Sequence, residues 1–284
     1  MSLLNPLASA AQASHSPSRA DGIPRALEDE LRVWGCRLIQ DAGTLLRLPQ
    51  AVMASAQLLF QRFWYVSSFR DFSTREIVPG VLFLASKLEE SPVRIRDLLN
   101  VMSYLLARAS HASSMSPSSR SLELPRAPGK PASSRFSHAP VGYFDASFYE
   151  AKDALVVAEM QVLKRLGFNT SLSLPYATLV NYLQMLGATG GERWDGFAQR
   201  CWGTLNDALQ TPVYCLFAPH VLAAASIYYN LLHAPGPAEK RPALPLDPPW
   251  WALLDVTEAE LRCVCAHIAW LYHPSGGGRV RDEH

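Results

Sequence analysis

An internal similarity constrains this chain more than any other feature. Pro79-Gly80-Val81-Leu82-Phe83-Leu84-Ala85-Ser86 matches Pro219-His220-Val221-Leu222-Ala223-Ala224-Ala225-Ser226 at a constant offset of 140, with five of the eight positions identical. Self-similarity at this distance predicts one structural unit used twice. Small residues at 85–86 and 225–226 let a neighbouring helix approach closely. At 284 residues the chain is near the size at which a single core gives way to two. The copies differ in one respect: Lys87-Leu88-Glu89-Glu90 continues the first, whereas Ile227-Tyr228-Tyr229-Asn230 continues the second. Charge follows the repeat in one copy only, so the first half is the expected seat of function.

Helical spacing dominates both halves. Over 27–46, Leu31, Trp34, Leu38, Ala42 and Leu45 recur at intervals of three and four, one face of a helix. Pro49 suits the first turn of a second helix carrying Val52, Ala56, Leu59, Phe60 and Phe63. Ser73 or Thr74 can cap a third with Ile77, Val81, Leu84, Ala85 and Leu88. A fourth follows Ser91-Pro92 with Ile95, Leu98, Leu99 and Met102, and a fifth runs from Phe148 to a stop at Gly167. Further helices are expected near 174–186, 193–210, 219–232 and 257–272, and strand patterns are almost absent. The expected fold is all-α, two helical bundles in tandem. Residues 1–26, rich in Ala, Ser and Pro, read as a flexible arm, and the Ser/Pro-rich stretch at 108–143 as a disordered insertion. The first bundle spans 27–170, the second 171–273, and 274–284 reads as a flexible tail.

Composition excludes several function classes. Lys and Arg number 26 against 25 Asp and Glu, without the basic excess of a dedicated nucleic-acid binder. No apolar run reaches the roughly 20 residues of a membrane span. The N-terminus lacks a secretory pattern, and five cysteines do not make a disulfide framework, so an intracellular, reducing compartment is expected. No P-loop, G-x-G-x-x-G or H-E-x-x-H occurs, and Cys263 and Cys265 lie about 200° apart around a helix, which precludes a shared metal. The expectation is a protein that is not an enzyme and that uses no cofactor, metal or small-molecule substrate. The informative charges are Lys87, beside the apolar stripe of its helix, and Glu159, placed between Leu155 and Val162. A carboxylate on an apolar face is costly unless a partner neutralises it. Two readings stay open: a Lys87–Glu159 bridge tying two helices, or charges left at the rim to bond another protein's backbone.

These residues resemble the cyclins. LASKLEESP (84–92) looks like the end of the third helix of a first cyclin box, and AEMQVLKRLGF (158–168) like that box's fifth helix. AGTLLRLPQAVMASAQLLFQRFWYVSSF (42–69) and SPVRIRDLLNV (91–101) are similar to the cyclin-L type more than to the T, K or C types. LQTPVYCLFAPHVLAAASIYYN (209–230) and PPWWALLDVTEAELRCVC (248–265) extend the likeness through a second box, so that it covers roughly 27–273. The resemblance implies tandem five-helix cyclin folds without catalysis of their own, which bind a cyclin-dependent kinase of the transcriptional branch and push its αC helix inward. It implies that Lys87 and Glu159 bond kinase backbone, with Glu90 beside them, and that Leu84, Leu88, Leu163 and Phe168 pack against the kinase. It further implies a nuclear protein acting in RNA polymerase II transcription and pre-mRNA splicing. Family members commonly carry an Arg/Ser-rich tail, whereas this sequence stops at His284, so targeting through such a tail is not carried over. LRVWGCRLIQDAG in the first helix departs from the substrate-docking motif of cell-cycle cyclins, and that role is not carried over either. The alternatives are a DNA-binding double cyclin fold of the general-transcription-factor type and a cyclin-fold scaffold without kinase binding.

Overall fold

The computed structural model describes residues 7–114, 136–140, 142, 145–191, 194–234 and 242–272. In chain order its helices are α1 (Ala10–Ser14), α2 (Pro17–Ala20), α3 (Arg25–Leu45), α4 (Gln50–Phe63), α5 (Thr74–Leu88), α6 (Ile95–Ser114), α7 (Ala146–Arg165), α8 (Tyr176–Met185), α9 (Phe197–Ala208), α10 (Val213–Leu216), α11 (Pro219–Leu232) and α12 (Glu258–Tyr272). A 3-10 turn, Trp250–Leu254, precedes α12, and an isolated bridge between Leu246 and Pro249 is the extent of β pairing among the described residues. The all-α tandem architecture follows: α3–α7 form the first bundle, and α8–α12 with the 3-10 turn form the second. Most of the Ser/Pro-rich insertion and the tail from 273 onward lie outside the described residues.

Local chemistry accounts for the boundaries. The Ser73 side chain caps α5 by accepting from the Arg75 N–H, and Pro219 occupies the first turn of α11. The repeat aligns these two helices, yet Pro79 lies inside α5 while Pro219 starts α11, so α5 reaches farther towards its N-terminus. Both copies bury Ala-Ser in the same way: Ser86 Oγ donates to the Phe83 carbonyl at 2.7 Å, and Ser226 Oγ to the Ala223 carbonyl at 2.8 Å. That bond satisfies a hydroxyl with no room for water. Gly80 has a structural reason, since a Cβ there would stand 2.9 Å from Ala158 Cβ and 3.0 Å from the backbone of α7. The corresponding His220 is only half-buried and meets no such limit.

α4 is enclosed on all sides, with residues 52–63 buried without exception. One face (Val52, Ala56, Leu59, Phe60, Phe63) belongs to the first core, and Ala54 and Leu58, with Tyr65 beyond the helix, belong to the second. Polar bonds fix the same junction. Gln61 Nε2 donates to the Gln210 carbonyl at 3.2 Å, Arg37 Nε to Gln210 Oε1 at 3.0 Å, and Arg62 Nη1 to the Ser171 carbonyl at 2.9 Å. Each of these donors is matched by an acceptor across the seam, which specifies how the bundles dock as well as that they dock.

Two expectations are corrected. Residues 9–20, expected to be flexible, are folded onto the bundles as α1 and α2, with Ser16 and Ser18 buried. Polar bonds do most of this, with the half-buried Ala8 packed against the second core. Glu28 accepts Ser16 Oγ at 2.7 Å and Arg19 Nε at 3.0 Å, Ser18 Oγ accepts the Phe69 N–H, and the Ala8 N–H donates to the Cys215 carbonyl. Second, α6 continues to Ser114, into the stretch 108–143 expected to be disordered, because the helix is already anchored by Leu98, Met102 and Leu105 and alanine there favours its continuation.

Candidate functional site

α5 and α7 cross closely at Gly80, where a Cβ would stand against Ala158 and the Glu159 N, and this brings α5 within side-chain reach of Glu159. Lys87, in the last turn of α5, reaches Glu159 of α7 with Nζ at 2.7 Å from Oε1 and 2.9 Å from Oε2. The same ammonium lies 3.9 Å from the centroid of the Phe83 ring, one turn earlier on α5. Lys87 is therefore held from two directions, by a carboxylate and by a ring face. Its side chain is nonetheless 45% exposed, against 14% for Glu159. A pair this wet contributes little to stability, about 0–1 kcal/mol. Its spare donors and acceptor lone pairs remain open to another molecule.

Lys87 and Glu159 are brought together, and apolar side chains surround them. Leu88 is exposed beside Lys87; Leu163, one turn beyond Glu159, is half-buried against the first core. Leu84 is only 5% exposed and lies beneath the surface as part of that core. Phe168, three residues past the end of α7, is 63% exposed with φ of 58°. Glu90 is exposed with φ of 51°. Both helix ends close in the same manner: Ser91 N–H donates to the Ser86 carbonyl and Glu90 N–H to the Lys87 carbonyl, as Phe168 N–H does to Leu163 and Gly167 N–H to Lys164. Left-handed backbone is disfavoured by about 1–2 kcal/mol for residues other than glycine. An exposed phenylalanine held there gains no burial in return. Glu89, the residue that follows α5, is tied to the bundle by Ser55 Oγ, which donates to its Oε1 at 2.6 Å.

The structure adds residues that spacing does not single out. Val156, Val157 and Met160 on α7 are exposed, and Val156, Met160 and Leu163 form a stripe at i, i+4 and i+7. The signal is present in the sequence, since a helix apolar on both sides of its buried line (Leu155, Ala158, Val162) has more apolar surface than one bundle can cover. The second bundle does not repeat the site. Ile227, at the position of Lys87, is fully buried, and Asn230, at that of Glu90, is bonded internally to Thr204 Oγ1 and the Ser226 carbonyl.

A second charged cluster lies elsewhere, between the arm and α3. Glu28 is fully buried and accepts from Ser16 Oγ, Arg19 Nε, and Nε and Nη2 of Arg32. Burial alone would raise its pKa, but Arg32, the Ser16 hydroxyl and Arg19 together outweigh that and hold the carboxyl below its ordinary value. Arg32 also donates to Gln61 and to the Trp64 carbonyl. Beside this cluster is a cavity of about 490 Å³, whose lining includes Arg25, Asp29, Tyr65, Leu216 and Trp270. Among the described residues no group of three His, Cys, Asp or Glu could hold a metal ion, and no helix is long and apolar enough to cross a membrane. Burial pushes the Cys36, Cys201 and Cys265 thiols up to about 12 and Cys215 to about 11.

No protein-family model matches the chain. Among individual proteins it is 36% identical to cyclin-L1 of Homo sapiens over 261 residues, 91% of this chain and 43% of that protein. It is 37% identical to cyclin-L2 of Homo sapiens over 259 residues, 90% of this chain and 43% of the relative. With cyclin-L1-1 of Oryza sativa subsp. japonica the figures are 35% over 263 residues, 92% and 53%. The chain thus spans about half the length of the curated relatives it matches. Among solved structures, the fold is similar to a chain of the yeast RNA Pol II CTD kinase CTDK-1 complex, with a TM-score of 0.63 at 14% identity over 94% of this chain and 73% of that one. It is also similar to a chain of the CAK complex of Chaetomium thermophilum bound to ATP-gamma-S, with a TM-score of 0.61 at 16% identity over 99% and 79%.

Proposed function

The chain belongs to the cyclin family, as a cyclin-L-like member, and on that premise we propose that it is the activating, non-catalytic subunit of a cyclin-dependent protein serine/threonine kinase. The observation that carries this reading is the Lys87–Glu159 pair, its lysine half-open to solvent beside exposed apolar side chains of the first bundle, where the second bundle buries Ile227 at the position of Lys87. Lys87 donates to kinase backbone carbonyls, Glu159 accepts from backbone N–H groups, and Glu90 borders them. Leu88, Leu163 and Phe168, with Val156 and Met160, cover the apolar side of the kinase αC helix, and Leu84 supports them from below. This division suits a docking site: apolar contacts supply affinity, and a positioned charge pair supplies register. Holding αC inward completes the kinase Lys–Glu pair, which is the step that activates such enzymes.

Cyclin-L relatives and the Pol II CTD kinase complex among the structural neighbours support a kinase of the transcriptional branch, a nuclear location and a role in RNA polymerase II transcription; the role in pre-mRNA splicing is the extension of that reading to a cyclin-L-like member. The test is binding of the purified chain to a candidate kinase by surface plasmon resonance, wild type beside Lys87→Glu and Phe168→Ala. Phe168→Ala is expected to cost about 2 kcal/mol or more, as central aromatic anchors do. Lys87→Glu is expected to abolish binding while the melting temperature holds. Wild-type affinity in both variants would remove the assignment of this face.

A further inference from the structure

The arm presents a modification site. Ser16 is followed by Pro17 and is 1% exposed; its Oγ donates to Glu28 Oε2 at 2.7 Å and accepts the Arg19 N–H at the start of α2. We propose that Ser16 is a phosphorylation site for a proline-directed serine/threonine kinase, and that the phosphate releases the arm from the bundles.

The docked arm hides Ser16, but its hold is slight. α1 and α2 have five and four residues, too short to persist alone. The residues buried in α2 and its cap are the serines 16 and 18, and the apolar contact of the arm is the small, half-buried Ala8 against the second core. A segment held by a few polar bonds opens locally far more often than the protein unfolds. The opened arm is an extended Ser-Pro substrate. In the transfer, Ser16 Oγ attacks the γ-phosphorus of Mg-ATP. The new Oγ–P bond replaces the P–O bond to ADP, which departs, and the hydroxyl proton passes to the modifying kinase's base.

Redocking then fails for reasons of charge and donors. The phosphoester has no hydrogen to give Glu28, and it places about two negative charges against a buried carboxylate. Of the guanidiniums around the cavity, Arg25 faces Asp29 at 3.6 Å, and the two that reach Glu28 are already committed. Arg32 serves Glu28, Gln61 and the Trp64 carbonyl, while Arg19 serves Glu28 and the carbonyls of Ala13 and Ser14. Release breaks the tie from Ala8 to Cys215 of the second bundle and uncovers the cavity beneath.

The full chain is treated with a mitogen-activated protein kinase and Mg-ATP, the modified residue is mapped by fragment mass, and trypsin cleavage after Arg19 is timed. Cleavage is expected to rise by about tenfold or more on phosphorylation, as the loss of several polar bonds implies. A Ser16→Ala chain treated in parallel shows no kinase-dependent rise, and hydrogen exchange over 52–63 stays slow in all samples. Failure of Ser16 to be modified overturns the proposal. So does a modified chain cut at the unmodified rate, which would place the phosphate inside the docked arrangement.

Discussion

Replacing Gly80 by alanine separates close helix approach from ordinary packing. The added methyl would stand 2.9 Å from Ala158 Cβ and 3.0 Å from both Ala158 C and Glu159 N. Two of these atoms are α7 backbone, so no rotamer change relieves the contact. Restoring ordinary carbon separations of about 3.5–4.0 Å moves α7 away by roughly 0.5–1 Å. Overpacking of this kind costs about 1–3 kcal/mol. Alanine returns about 1 kcal/mol through helix propensity. The net is a loss of up to about 2 kcal/mol, or a melting temperature lower by as much as about 8 °C. Glu159 moves with α7, so the 2.7 Å bond to Lys87 lengthens and kinase binding falls as well. Gly203 lies inside α9, and a methyl added there would meet nothing within 4 Å. It is the control, and Gly203→Ala should gain about 1 kcal/mol. Thermal melts by circular dichroism read both. If Gly80→Ala raises the melting temperature as Gly203→Ala does, the account of the α5–α7 crossing is refuted.

Glu28→Ala strands the buried Arg32 guanidinium and should cost about 3–5 kcal/mol, read as a shifted urea midpoint. Because the Glu28 pKa is lowered in the folded chain, its stabilisation is present above the unfolded carboxylate value and is lost as pH falls through the folded one. The neighbouring Asp29, raised by burial, contributes in the opposite sense, so acid melts of wild type against Glu28→Gln isolate the first effect. Iodoacetamide on the native chain should label the exposed Cys263 first and leave Cys36, Cys201 and Cys215 untouched until unfolding, as intact mass would show. Glu90→Gly relieves a left-handed residue and should stabilise by about 1 kcal/mol while weakening kinase binding, two results that a melt and a binding assay distinguish.

The principal helices are legible because apolar spacing survives wherever one face meets one core. α5 is the clearest case: of the stripe that spacing marks, Ile77, Val81, Leu84 and Ala85 are buried, and Leu88 at its end is exposed. α4 is legible as a helix but not as the shared wall of two cores, because Ala54 and Leu58 look like spare apolar positions until a second bundle covers them. The Glu28–Arg32 pair is hidden for the opposite reason, since charges four apart on a helix usually mark a solvated face and here they are sealed by the arm. The arm escapes a reading based on apolar content, because serine hydroxyls and one guanidinium hold it. At the site, Lys87 and Glu159 stand out as charges on an apolar face, and their contact answers the first of the two open readings without removing the second. The left-handed exposure of Phe168 has no signature in composition, because it depends on how α7 closes.

The central claim is kinase activation through Lys87 and the surface around it. Wild-type chain and Lys87→Glu are immobilised side by side, incubated with nuclear extract, washed, and assayed on the beads for phosphorylation of a Pol II C-terminal-domain peptide. Kinase activity on the wild type and its loss on a variant with an unchanged melting temperature is the predicted result. Equal activity on both, or none on a folded wild-type chain, would contradict it.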